Sequence, residues 1–379
     1  MKFRKAQKGK TPFGAAPALR RTSPLRAAIV LGLLMVLVGM LLVACGGPAS
    51  QASTATSGPR RLTVYTHDSF DVSQSVVQAF QQANNAEVQF ISGGDAGTAL
   101  NKLILSKNNP LADVFYGVDN TFLSRALAEG IFVPYESPLL AQIPQEFKLD
   151  PQNMALPVDY GDVCMNYQKA YFEDKGLALP QSLEDLLKPE YRGLLVVENP
   201  ATSSPGLAFL LTTIAHFGDP GYLDFWKGLV ANDVLVVNDW ETAYYTNFSQ
   251  WGGDRPLVVS YGSSPPFEVI DANPPVQEPP TGAIVADDTC FRQIEFVGIL
   301  QGTKNTDLAQ KWVDFMLSPV FQEDMPLKMY VFPVNPQAKL DPTFQKYLAI
   351  PQHPVQLPPD EIAAKRDTWI TAWTETVLR

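Results

Sequence analysis

The chain has 379 residues, 46% of them hydrophobic and 18% charged, with a formal net charge of −10. Eight of its 29 Lys and Arg fall in the first 26 residues, where no acid occurs; the remainder sets 21 basic against 39 acidic side chains, a balance of −18. That balance excludes a nucleic-acid partner, which needs a basic footprint, and attracts a cationic ligand at long range, although an acidic surface also serves solubility alone. The three His form no cluster with Cys, so no zinc spacing is present.

In chain order, the basic start is followed by an apolar run over 27–44 ending in Leu-Val-Ala-Cys-Gly (42–46). This is the order of an export signal, and it resembles the lipobox of bacterial lipoproteins, which makes residues 1–45 a signal peptide and Cys45 the lipid-attachment site. Eighteen apolar residues could also just span a bilayer; either way the folded part lies outside the cytoplasm. Residues 46–61, GGPASQASTATSGPRR, hold no large apolar side chain and read as a flexible tether. The 318 residues that follow exceed what one core usually supports, so two lobes are expected.

Residues 62–66 alternate like a half-buried strand, Val72, Val76, Val77 and Phe80 follow helical spacing, and 87–91 read as a second strand. After the turn GGDAG come a helix through Leu100, Leu103, Ile104 and Leu105, a buried strand at 113–116 and a helix over 120–129 closed by Gly130. This alternation predicts a parallel sheet covered on both faces. A second series repeats it: an extended stretch over 155–167, a helical 183–187, strands at 194–197, 234–237 and 257–260, and a helix from Leu207 to about His216. The Pro-rich 271–282 is a loop, 294–300 a strand, and helices follow through Leu308, Trp312, Phe315 and Met316 and over 361–377. The late elements are expected to return to the first lobe, giving crossings near 155–165 and 285–297, with lobe 1 formed by 62–156 plus 292–379 and lobe 2 by 157–291. Cys164 and Cys290 are left either as a disulfide or as two buried thiols.

The segments YTHDSF (65–70), ADVFYGVDN (112–120), PVDYG (157–161), TSSPGL (202–207), DWETAY (239–244), SYGSSP (260–265), FMLSPVFQ (315–322) and YVFPV (330–334) occur in one order across nearly all of 62–379. As a set they resemble the thiamine-binding receptors of ATP-driven (ABC) importers, in the superfamily of two-lobed periplasmic binding proteins of the second topological type. The resemblance implies an α/β fold, each lobe a mainly parallel sheet flanked by helices, with the ligand cleft between the lobes. It implies contacts at Asp95 and Ala96, Ser203 and Ser204, Trp240, Tyr261, Gly262, Ser263, Ser264, Phe267 and Tyr330. His67 stands where a tyrosine is more usual, Ala96 replaces a glycine and Gly262 a threonine. The implied partners are thiamine or its mono- or diphosphate, a permease with its ATPase, and the membrane through the lipid; no cofactor, metal or catalytic residue is expected, and the chain is expected to be a monomer.

The residue chemistry agrees. A permanently cationic thiazolium joined to an aminopyrimidine needs aromatic faces, which Trp240, Tyr261, Phe267 and Tyr330 can supply, a desolvated cation over such a ring gaining about 2 kcal/mol. Trp240 and Tyr261 both follow apolar strands, where open α/β sheets hold their ligands, yet each aromatic taken singly reads as a core residue before a contact. Asp95, at a strand-to-helix turn, reads as a helix cap and as an acceptor for the ligand. Ser203, Ser204, Pro205 and Gly206 open a helix whose start exposes donors to an anion; with Ser263 and Ser264 they would take the hydroxyl or phosphate arm, or serve as ordinary caps. Two other readings remain. Tyr244-Tyr245 with His67 could ligate ferric iron, although neighbouring helical residues point about 100° apart. Cys164, with Glu268 or Asp162 as base, could be the nucleophile of a thiamine-degrading enzyme, although no nearby His activates it. The chain has no Gly-rich phosphate loop with Lys, so nucleotide hydrolysis belongs to another subunit.

Overall fold

A computed structural model describes residues 58–379. The export segment, Cys45 and the tether up to residue 57 lie outside the described residues. The tether's last two residues belong to the fold: strand β1 (Arg60–Thr66) begins at Arg60, which pairs in register with Ala86 and forms a two-pronged contact with Asp307. The remaining strands are β2 (Ala86–Ser92), β3 (Val114–Asp119), β4 (Phe132–Val133), β5 (Leu156–Gln168), β6 (Leu195–Glu198), β7 (Leu235–Val237), β8 (Leu257–Tyr261), β9 (Thr281–Ile284), β10 (Phe291–Leu300) and β11 (Phe332–Pro333).

One sheet runs in the order β2-β1-β3-β10-β5-β8-β6-β7. At one end β1 pairs parallel with β2 and β3; at the other β6 pairs parallel with β7 and β8. Between them β10 and β5 are long and antiparallel, and each also pairs with one half, β10 with β3 and β5 with β8. These are the two strands common to both halves of a two-lobed α/β fold. Both run on through residues that often end a strand, Pro157 and Gly161 in β5 and Gly298 in β10, because they pair on both sides and most of their residues are buried.

Cys164 of β5 is disulfide-bonded to Cys290, just before β10, closing a sequence separation of 126. The bridge ties together the two strands on which the halves join.

The apolar helix Ser204–Phe217 is buried from Ser204 through Ile214 because it is covered on both sides. It lies on the sheet and under helix Gly221–Ala231, with Phe209 against Trp226. The helix Thr306–Leu317 packs Trp312 edge-on against Phe80 in the first half. The final helix, Pro359–Val377, touches both halves: Trp373 packs on Trp226 and Trp369 Nε1 donates to Asp219 in the second, while Arg366 lies over Phe122 in the first. No helix among the described residues is long and apolar enough to cross a membrane.

Candidate ligand-binding site

The two halves meet on one carboxylate. Asp95 follows β2 through a glycine turn and caps helix Ala96–Leu105, Oδ1 accepting from the buried Ala96 N–H at 2.6 Å. The same side chain also reaches the second half: Oδ1 accepts from Ser204 N–H at 3.2 Å and Oδ2 from Trp240 N–H at 3.0 Å. Capping and joining are therefore one act. Beside it Thr98 N–H donates to the Thr202 carbonyl at 3.2 Å, and Gly97 makes that approach feasible, since a Cβ there would lie 2.9 Å from the same carbonyl oxygen. Burial raises the Asp95 pKa to about 7, against the opposing effect of the Ser203 hydroxyl and the Trp240 and Ser204 amides.

The turn at 202–206 was expected to precede a helix starting at Leu207; the helix starts at Ser204, because Pro205 fits a first turn at no cost in hydrogen bonds. Ser203 sits at the cap position without a side-chain capping bond. Ser204 Oγ accepts from Gln293 Nε2 at 2.8 Å, and Gln293 Oε1 accepts from Tyr261 O–H at 3.2 Å. Gln293, on β10, thus aligns two expected contact residues and was not legible as a site residue. The donor at this helix start faces an anion, the carboxylate of Asp95.

The structure brings the expected rings together. Trp240 stacks on Tyr244 with centroids 4.9 Å apart and lies 6.0 Å from Tyr330 and 6.4 Å from Tyr261; Tyr330 in turn meets Phe267 edge-on at 3.9 Å. Trp240 Nε1 donates to Ser260 Oγ at 3.0 Å, and that hydroxyl contacts Ser264 Oγ at 3.2 Å. Ser263 Oγ donates to the Tyr330 carbonyl, holding that tyrosine in the left-handed region at φ 59°. Gly262 is needed where it stands, because a Cβ would lie 2.8 Å from the Ala349 carbonyl oxygen; the space a threonine would fill is taken by that backbone. Tyr245, expected only as half of an iron-ligating tyrosine pair, sets its hydroxyl 2.7 Å from that of Tyr330.

Behind the rings runs an acidic seam. On β5 and β10, Asp159 registers with Glu295. Tyr116 O–H donates to Asp159 Oδ2 at 2.6 Å, and His67 Nε2 lies 3.4 Å from Glu295 Oε1. Burial lowers the His67 pKa to about 4 and raises Glu295 well above the carboxylate range, so the two meet as neutral groups rather than as an ion pair. His67 also lines a cavity of about 250 Å³ with Asp68, Phe70 and Phe90.

Two chemistries that the sequence left open meet obstacles. Cys164 lies in the disulfide and offers no thiolate. The hydroxyls of Tyr244 and Tyr245 diverge, Tyr244 donating to Glu268 Oε1 at 2.9 Å and Tyr245 meeting Tyr330, and no group of three or more His, Cys, Asp or Glu among the described residues is arranged to hold a metal ion.

A family model described as bacterial extracellular solute-binding protein matches residues 109–352. The thiamine-binding periplasmic protein of Salmonella typhimurium is 30% identical over 347 residues, which cover 89% of this chain and 98% of that one. A solved periplasmic thiamin binding protein superimposes with a TM-score of 0.75 at 30% identity, covering 85% of this chain and 97% of its own. The ferric binding protein from Campylobacter jejuni, at 21% identity and a TM-score of 0.67, shares the fold. By their names these relatives are binding proteins. With the solute-binding model matched over more than half its length and a thiamine-binding homologue aligned almost end to end, the chain belongs to the family of bacterial extracellular solute-binding proteins.

Proposed function

We propose that this chain binds thiamine, or a phosphate ester of it, outside the cytoplasm and passes it to a membrane permease driven by a separate ATPase, while a lipid on Cys45 holds it at the membrane. The observation that carries this reading is the convergence of Trp240, Tyr261, Phe267 and Tyr330 beside a carboxylate, Asp95, at the junction of the halves. The relatives with that name align over nearly the whole chain, and their ligand matches what the site offers. Flat electron-rich faces suit the thiazolium; Asp95 suits the aminopyrimidine or its charge; Ser203, Ser204, Ser263 and Ser264 suit the hydroxyl arm or its phosphate.

In this reading lobe 1 (62–156 plus 292–379) contributes His67, Asp95 and Ala96, and lobe 2 (157–291) contributes the serines, Trp240, Tyr261, Gly262 and Phe267, with Tyr330 returning from lobe 1. Contacts made only when the lobes meet shift the open and closed populations, as a receptor that signals occupancy to a permease requires. Calorimetric titration with thiamine, its monophosphate and its diphosphate tests the proposal. Saturable one-to-one binding of at least one of them is expected, and absence of heat and of competition for all three would remove it.

A further inference from the structure

Glu198 ends β6, a strand that is otherwise apolar. Its side chain is fully buried, and neither carboxylate oxygen has a hydrogen-bond partner. Strand alternation puts it on the same face as Val196, which packs in the cluster of Trp240, Tyr244, Phe248 and Tyr330. Helix Ser204–Phe217 crosses directly above: a Cβ on Gly206 would lie 2.6 Å from the Glu198 carbonyl oxygen and 3.0 Å from its Cβ. On β7, Val237 registers with Glu198, and the chain runs on through Asp239 to Trp240. From the first half comes Asp95. The charged groups whose field reaches Glu198 are Asp95 and Asp239, both acidic; no Lys, Arg or His among the described residues joins them. Burial and these like charges raise its pKa well above the carboxylate range.

An apolar residue would fill this position at lower cost, because a buried polar group without a partner destabilises the fold. The placement gains a purpose if a cation enters next to it. We propose that Glu198 is a second recognition group for the ligand's fixed positive charge, neutral beneath the aromatic cluster until a quaternary heteroaromatic cation seats there and then ionised, its O–H proton passing to solvent. The ligand's charge cannot be neutralised by losing a proton, so a nearby carboxyl must supply the balance. This rests on the thiamine reading and extends it to a residue outside the family-derived contacts.

The test is calorimetry of the full-length chain at pH 7 with thiamine, in two buffers of different ionisation enthalpy. Wild type should release protons on binding. Glu198→Gln should release fewer, by up to about one per site, and bind thiamine roughly tenfold or more weakly. An uncharged analogue with carbon in place of the ring nitrogen should bind both chains alike. Asp95→Asn, run in the same series, measures the share of the proton release that belongs to Asp95. Because a neutral amide replaces a neutral carboxyl, unliganded Glu198→Gln should melt within a few degrees of wild type. Equal proton release and equal affinity in folded Glu198→Gln would overturn the assignment while leaving thiamine binding intact. Loss of folding in both Glu198→Gln and Glu198→Leu would overturn it as well, marking a structural carboxyl. If wild type binds no thiamine, the functional reading fails first and the assignment goes with it.

Discussion

The two faces of the shared strands β5 and β10 treat buried charge in opposite ways. On one face Asp162 is almost fully buried, and Arg292 grips it with Nε–Oδ1 at 2.6 Å and Nη2–Oδ2 at 3.1 Å, the guanidinium resting 5.0 Å over Tyr160. Tyr160 stacks in turn on Phe147 and Phe332. On the other face Asp159 and Glu295 are equally buried, yet their company is Tyr116, a neutral His67 and each other. Strand length, burial and backbone pairing are common to both, so the difference lies in the partner chosen. Where the strands only need to hold together, an arginine neutralises the acid; where they face the junction of the halves, the acids are left to hydrogen bonds and protonation. Acids left without a cationic partner gain by ionising when a cation arrives, which favours a cation at the junction.

Four changes would break or sharpen this contrast. The largest effect should come from the clip common to both faces: Cys164→Ser with Cys290→Ser should cost roughly 5 kcal/mol by the chain-entropy model for so long a closed loop, read from urea midpoints, and a loss under about 1 kcal/mol would mean the strands hold without it. Next, Arg292→Met strands Asp162 and should cost about 3 kcal/mol; adding Asp162→Leu should restore most of it, and no restoration would deny that the pair is a unit. Trp240→Ala should weaken thiamine binding tenfold or more, about 1.4 kcal/mol, and an unchanged calorimetric affinity would take the ring out of the site.

The last effect concerns the acidic face, vanishes at low pH and grows with pH. Glu295 has its folded pKa raised above its ordinary 4.5, chiefly by burial and then by Asp159. The folded chain therefore holds a proton that the unfolded chain gives up, and this contribution to stability is present in full below about pH 4.5 and is lost as pH rises toward the folded value. Glu295→Gln removes the dependence. It should be closer to neutral at pH 5 and increasingly stabilising as pH rises to 8, measured as the difference in thermal unfolding; an identical pH profile in both chains would show that Glu295 holds no extra proton in the folded state.

Much of this architecture was readable along the chain. Periodicity located β1, β2, β3, β6 and β8 to within three residues, and the stretch 155–167 read as one extended run despite Pro157 and Gly161. The rings of the site were readable as motifs, and the fold then placed them in one cluster. What could not be read depends on contacts far apart in sequence. Gln293 and Glu198 are polar residues in apolar strands, a local oddity whose meaning comes only from Ser204 and Tyr261 in the first case and Asp95 and Asp239 in the second. Gly262 looked like a lost threonine until Ala349 arrived beside it. The spacing of Ile362, Arg366, Trp369 and Trp373 announces a helix, but it does not say that the helix will lie against Trp226 on one side and Phe122 on the other.

That last helix has a practical consequence. Strand β1 opens the described chain inside the first half, where Arg60 is pinned to Asp307, whereas the terminal tryptophans rest on the second. The final helix thus straddles the junction, with Arg366 on the first half and the two tryptophans on the second. A chain cut short before Pro359 would lose contacts to both halves in one step.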